Sequence, residues 1–367
     1  MRIELVKRQQ HSVLFSIVSP VIALGLMLFF GAIMFAFLGK PPLQALHAYF
    51  IDPLSELWSV HELLIKAGPL ILIAVGLSVC YRANNWNIGA EGQFIAGAIL
   101  GSAVPILFPS LQNWATLPAM FVLGALGGAL YAGIPALLKV RFNANEILTS
   151  LMLVYVAQLL LDWLVRGVWR DPNGRAFPGS IHFPPAATLP EIAPSQGGAH
   201  YGFVVAIVAA VLVWLFLSRT LKGFEVRVIG LSPKAGAFAG FSGPNMVYFT
   251  FMLSGALAGL AGICEVSGAI GQLRETVSPG YGFTAIIVAF LGRLNPLGAV
   301  VAGLLLALTY LGGEAAQMSL GVSDKVSRVF QGMLLFFVLG CDTLIAYRIR
   351  LVFPGRRAAS EAAAGRA

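Results

Sequence analysis

Four stretches of this chain carry no Asp, Glu, Lys or Arg: Gln9 to Gly39, Gly92 to Leu138, Ala235 to Cys264 and Leu294 to Gly313. Each reaches or exceeds the roughly 20 apolar residues that cross a bilayer as a helix. Composition points the same way. Of 367 residues, 58% are hydrophobic and 11% charged, with a mean hydropathy of +0.83. Soluble domains carry about 25% charged residues, which their surfaces need. The expected fold is therefore all-α: a polytopic membrane protein of about ten transmembrane helices. A soluble enzyme, a secreted disulfide scaffold and a nucleic-acid-binding domain are excluded.

Breaks at Pro, Gly and charge place the spans at 13–38, 67–81, 91–108, 117–138, 146–165, 201–218, 245–265, 281–293, 297–314 and 327–347. Pro105, Pro109 and Pro118 divide the longest uncharged run into two spans. The second and eighth spans are short, so each is expected to be tilted, broken or only partly crossing. The first is too long for the core of a cleaved signal peptide and reads as an uncleaved span.

The net charge of +8 reads through the positive-inside rule, which places Lys and Arg in cytoplasmic loops. With a cytoplasmic N-terminus, sixteen fall inside: Arg2, Lys7, Arg8, Arg82, Lys139, Arg141, Arg219, Lys222, Arg227, Lys234, Arg293, Arg348, Arg350, Arg356, Arg357 and Arg366. Eight fall outside, among them Lys40, Lys66, Arg166, Arg170, Arg175 and Arg274. Both termini are then cytoplasmic and the membrane is the cell inner membrane. Residues 1–350 read as one transmembrane domain, with an external loop at 166–200, a cytoplasmic loop at 220–243 and a disordered tail at 351–367. Cys80, Cys264 and Cys341 stand singly in apolar segments and read as buried apolar residues.

LGALGGALYAG in the fourth span is similar to LGAVVAGLLLA in the ninth. Five spans separate them, as in an inverted five-helix repeat, a frequent transporter architecture. Small residues also suit any tight membrane bundle.

The strongest polar signal is RANNWNIGAEGQF, Arg82 to Phe94. Polar groups at membrane depth are costly and face a protein interior or a water-filled path. Asn85, Asn87, Glu91 and Gln93 are therefore the candidate substrate-path residues. Glu91 is expected to hold the break together, while Asn87 and Gln93 line the path. Trp86 or Phe94 would suit stacking on a nucleobase. A second string, RFNANEILTSLML, adds Thr149; Asn145 there reads as a helix N-cap and Glu146 suits the helix dipole. Asp162 and Glu265, near external span ends, read as exposed carboxylates that could rim the path. FEVRVIGLSPKAGAFAGFS, Phe224 to Ser242, reads as a short amphipathic helix, a turn and a small-residue helix at the membrane surface. Neither GxxxxGK[ST], HExxH nor GxSxG occurs, so no catalytic residue, metal site or bound cofactor is assigned to this chain.

NIGAEGQFIAGA, NEILTSLML and VIGLSPKAGAFAGF resemble the permease subunits of bacterial ABC importers over about residues 60 to 345. The resemblance is to the ribose-type, simple-sugar group, and within it to the larger permease of nucleoside (guanosine-type) uptake systems. Smaller partner permeases read NIGLEGMM, so Gln93 favours the larger branch. The external loop and the Ala-rich tail match no motif of that group. The resemblance implies a path for a nucleoside or simple sugar, formed with a second, smaller permease. A cytoplasmic ABC ATPase would use the ATP, and an extracytoplasmic binding protein or lipoprotein would deliver the solute. It also assigns ATPase coupling to Glu225, Arg227, Gly230, Pro233 and Lys234. The alternative reading is an ion-coupled secondary carrier for a similar solute.

Overall fold

A computed structural model describes residues 2–7, 13–174, 178–192, 198–323 and 325–352. The tail expected to be disordered lies outside these residues from 353 onward, as do Arg8, Arg175, Arg356, Arg357 and Arg366. The protein is an all-α polytopic membrane protein. Its helices are α1 (Val13–Phe37), α2 (Pro42–Phe50), α3 (Leu57–Arg82), α4 (Ala90–Leu107), α5 (Thr116–Phe142), α6 (Glu146–Arg166) and α7 (Gly202–Arg219). They continue with α8 (Leu221–Leu231), α9 (Pro233–Phe238), α10 (Gly243–Cys264), α11 (Tyr281–Leu291), α12 (Pro296–Leu320) and α13 (Val326–Ala346). Among the described residues seven helices are long and apolar enough to cross a membrane, α3 to α7, α10 and α12. Shorter apolar helical stretches occupy Val21–Phe37, Tyr281–Leu291 and Arg328–Cys341.

The chain divides into two compact units, residues 1–46 with 328–367, and residues 47–327. In the first, Phe330 packs on Phe35 with ring centroids 5.7 Å apart, and Phe337 stacks on Phe30 at 5.3 Å. A two-stranded antiparallel ribbon, β1 (Arg2–Lys7) with β2 (Tyr347–Val352), runs in register from Arg2 opposite Val352 to Lys7 opposite Tyr347.

The second unit is organised around α3, whose most hydropathic stretch is 89% buried inside the protein, against 28% for α6 and α7. It packs on α10, α11 and α12, while α10 packs on α3, α4 and α5. The expected second span is longer than its pattern suggested, because α3 starts at Leu57 and runs through Glu62, Lys66 and Pro69. Lys66 Nζ donates to Glu314 Oε1 at 2.9 Å, so both charges are partnered where α3 and α12 continue past the uncharged runs. The eighth span is short, as expected: α11 has 11 residues.

Small residues let α4, α5 and α10 touch backbone to backbone. A Cβ at Gly259 would collide with the Gly124 carbonyl and meet Gly128 Cα at 3.0 Å, and one at Gly97 would strike the Gly259 backbone. Backbone cannot yield as a flexible side chain can, and overpacking costs about 1–3 kcal/mol or more. Gly259→Val should therefore abolish the folded, monodisperse peak in detergent gel filtration. Gly133→Ala, with no atom within 4 Å of the added carbon, should leave that peak intact.

Candidate substrate path and coupling surface

Between α3 and α4 the chain leaves the helix for residues 83–89, although both flanking helices are buried. Helix α3 closes where Ala83 N–H donates back to Val79 and Cys80, and Asn84 takes a left-handed φ of 56°. Unpaired backbone and amide groups at this depth cost several kcal/mol each, so their partners decide whether the break stands. Asn85 N–H donates to the Cys80 carbonyl at 2.9 Å, and the Tyr81 hydroxyl donates to the Asn87 carbonyl at 3.0 Å. Ile88 N–H donates to Ser150 Oγ at 3.2 Å, and Gly89 N–H to Asn87 Oδ1 at 3.1 Å.

Four of the five path residues are brought together here. Asn87 and Gln93 form a reciprocal amide pair, with Asn87 Nδ2 donating to Gln93 Oε1 at 2.8 Å and Gln93 Nε2 donating to Asn87 Oδ1 at 2.9 Å. Asn87 Nδ2 also reaches Ser254 Oγ on α10 at 3.2 Å. Asn85 Nδ2 donates to Thr250 Oγ1 at 2.9 Å, Asn85 Oδ1 accepts from Lys139 Nζ at 2.8 Å, and the same ammonium meets Glu146 Oε1 at 2.6 Å. Glu91 Oε2 accepts from the Gly282 N–H at 2.6 Å, which joins the first turn of α4 to the first turn of α11. Asn85, Asn87, Glu91 and Gln93 are all buried. Thr149 stands apart: it is half-buried and its hydroxyl donates to the Asn145 carbonyl at 3.0 Å.

Glycine is needed at the last residue of the break and in the first turn of α4. A Cβ at Gly89 would lie 2.7 Å from the Ser150 carbonyl oxygen, and one at Gly92 would lie 3.0 Å from Val154 Cα. Helix α6 therefore packs directly against the break. Asn145 caps α6 by accepting from Ile147 N–H at 2.9 Å. Glu146 does more than meet the helix dipole, because it partners Lys139.

Of the two candidate stacking rings, Phe94 is fully buried edge-on against Tyr281, with centroids 6.2 Å apart. Trp86 is 36% exposed and joins Tyr81 and Phe290 in an aromatic stack. Asp162 is half-buried, paired with Arg166 at 2.5 Å. Glu265 corrects the expectation of an exposed carboxylate: it is 7% exposed, at the head of a π-helical turn (Glu265–Ile270).

The sequence string at 224–242 folds into α8 and α9 around Ser232, whose hydroxyl caps α9, and Pro233 occupies the first helical position. Gly223, Val226 and Ile229 are buried against the bundle. Gly230 lies against the Arg82 carbonyl, and a Cβ there would collide with it and meet Ala83 Cα at 3.2 Å. Arg82 Nε in turn donates to the Leu294 carbonyl between α11 and α12, at 2.7 Å. Glu225 pairs with Lys222 at 2.7 Å, while Arg227, Pro233 and Lys234 are exposed beside Leu231 and Phe238, 89% and 97% exposed.

Sequence reasoning named the break but not its partners. Lys139, Thr250, Ser254, Ser150 and Gly282 come from four other helices. The one advance sign was hydroxyl groups, Ser254 and Thr250, inside an otherwise apolar small-residue span.

The family described as branched-chain amino acid transport system / permease component matches residues 59–339. The chain belongs to that family. It is 36% identical over 347 residues to the glucose ABC transporter permease of Haloferax volcanii, covering 92% of this chain and 91% of that one. It is 29% identical to the guanosine ABC transporter permease of Bacillus subtilis, covering 95% and 97%. The nucleoside ABC transporter permease of Lactococcus lactis shares 26% identity over 94% and 95% of the two chains. This permease is thus aligned almost end to end with permeases of both sugars and nucleosides.

Two outcomes follow for this permease. Removing Asn87 leaves the Gln93 amide buried and unsatisfied, a loss of about 1–3 kcal/mol, whereas without Gln93 the Asn87 amide keeps Ser254 and the Gly89 N–H and loses less. Asn87→Ala and Gln93→Ala should each lower the melting temperature, and the double variant should lose clearly less than the sum. Additive losses would show the pair to be uncoupled.

The second concerns His200, in the loop before α7. Its Nδ1 accepts from Gly202 N–H at 3.1 Å and its ring lies on Gly268 of the π-helical turn. Burial pulls its pKa from 6.5 down to about 4. The folded value lies below the unfolded one, so anchoring is fully present above about pH 6.5 and is lost as pH falls toward 4. The protection factor at residues 198–203, exchange being normalised to the intrinsic rate at each pH, should fall about tenfold or more between pH 7.5 and 5, and His200→Gln should remove that dependence.

Proposed function

We propose that this permease forms the translocation path of an ATP-driven importer for a neutral, hydroxyl-rich solute, a simple sugar or a nucleoside. The observation that carries the reading is the seating of Gly230 on the Arg82 carbonyl, the last turn before the polar break. A displacement of α8 therefore meets the break without an intervening element. The exposed Leu231 and Phe238 beside Lys234 give α8 and α9 an apolar face with a basic rim, the composition of a protein contact.

In this reading the face receives a cytoplasmic ATPase, which uses the ATP, and Glu225, Arg227, Gly230, Pro233 and Lys234 transmit its closure. The end carrying Arg82, Lys139, α8 and Leu294 is cytoplasmic, with both chain termini. The opposite end, where residues 179–189 pair with 267–274, receives solute from an extracytoplasmic binding protein. A second permease, a smaller chain as in paired nucleoside systems, completes the path. Asn85, Asn87, Glu91 and Gln93 form its polar constriction, with Thr149 at its margin. Paired amides suit hydroxyl groups because each both donates and accepts.

The test is uptake and solute-stimulated ATP hydrolysis by the complete complex in proteoliposomes. Gly230→Leu should reduce both at least tenfold while the complex still assembles, and Glu225→Lys should weaken them severalfold. Normal coupled uptake in both variants would reduce the hairpin to a linker. Because Cys80, Cys264 and Cys341 are buried, the same vesicles report sidedness. Once the ATPase is stripped from them, an impermeant maleimide should modify Ala237→Cys in inverted vesicles and not in right-side-out ones.

A further inference from the structure

At the end of the bundle opposite α8, residues 178–183 fold onto residues 271–274. Gly179 bridges Arg274, Ser180 N–H donates to the Leu273 carbonyl at 2.9 Å, and Leu273 N–H donates to Ser180 Oγ at 2.9 Å. Phe183 N–H donates to the Gly271 carbonyl at 2.9 Å. These bonds frame a half-enclosed cavity of about 550 Å³ whose polar lining includes Asp171, His182, Gln272, Arg274, Glu275 and Thr276. Its size lies within the usual range for small-molecule sites, about 300–1,000 Å³. The polar break and the coupling surface contribute none of these residues.

The lining groups are of two kinds. Gln272 is held, 9% exposed, with its amide oriented to donate to the Ser180 carbonyl at 3.2 Å and accept from the Arg274 guanidinium. Ser180 is spent on Leu273, and Glu275 pairs with Arg166. These form the wall. Asp171, His182 and Arg274 form no ion pair among the described residues and stand around the same space. Asp171 accepts, Arg274 donates and the imidazole of His182 does both. An anion would meet Asp171 and Glu275, and a cation would meet Arg274. A neutral molecule with several hydroxyls satisfies both sets at once.

We propose that this cavity is a capture subsite for a neutral polyhydroxylated solute, a sugar or the ribose of a nucleoside, held by Asp171, Arg274 and His182 before it reaches the break. The subsite deepens the functional reading above and rests on it for its sidedness. It gives the external loop, which matched no motif, a role in handing solute from the binding protein to the path.

The test uses the permease–ATPase complex in lipid nanodiscs, without binding protein, titrated with D-glucose, D-ribose and guanosine, and with glucose 6-phosphate as the anionic counterpart. At least one neutral probe should bind saturably and the phosphate at least tenfold more weakly. Asp171→Asn and Arg274→Gln should each raise Kd at least tenfold, and His182→Ala, an exposed position with little risk to folding, severalfold. Gln112→Ala, in another exposed turn, should leave Kd unchanged. The subsite is overturned if the phosphate binds as well as the sugars, or if all three substitutions leave Kd unchanged. It is also overturned if they weaken only docking of the binding protein, which would make this face a protein contact. If no probe binds although the complete complex takes one up, the subsite alone fails. If no sugar or nucleoside is bound or taken up, the functional reading fails with it.

Discussion

A seven-residue interruption in buried helix is the constraint on which the rest of this structure depends. Within a bilayer the backbone tolerates irregularity only where protein supplies the missing partners. Residues 83–89 draw theirs from their own side chains and from neighbouring helices: Ser150 on α6, Lys139 on α5, and Thr250 and Ser254 on α10. The Glu91–Gly282 bond then ties the helix that follows the break to α11. Five helices are thus fixed by the need to satisfy one short segment. The small residues of α4, α5 and α10 follow from the same need, because only close backbone approach brings Thr250 and Ser254 within reach.

The spans were legible in the sequence because lack of charge is a local property. Eight of the ten predicted spans begin within two residues of a helix start and end within four of its end. The two poorly bounded ones, the second and ninth, failed for one shared reason. Both were stopped near a charge, Lys66 in one case and Glu314 in the other, and the two charges are each other's partner. An ion pair between residues separated by 248 positions leaves no local trace. Glu265 misled in the same way, since its burial depends on the π-helical turn and on α11 folding over it.

The candidate path was legible in kind and not in arrangement. Five polar residues between apolar segments announce groups that must be satisfied, and Gly89 and Gly92 announce close approach. Nothing local says that Asn87 pairs with Gln93, that Lys139 bridges Asn85 and Glu146, or that Phe94 is sealed beneath Tyr281. Each of those facts depends on which helices become neighbours. The α8–α9 hairpin was more legible because its structure is local: a Ser cap, a Pro at the first helical position and an amphipathic turn.

The contact of Gly230 with Arg82 makes the hairpin and the break parts of one mechanical unit. Arg82 closes α3, supports α8 through its carbonyl and holds the α11–α12 connection through its guanidinium. Glu91, on the far side of the break, holds the opposite end of α11. Helix α11 is therefore gripped at both ends by the segment that carries the break, and at 11 residues it spans only about 16 Å. A shift of α8 cannot move the end of α3 without also loading α11. That double attachment bounds the length of α11: a longer helix would carry Gly282 past the Glu91 carboxylate.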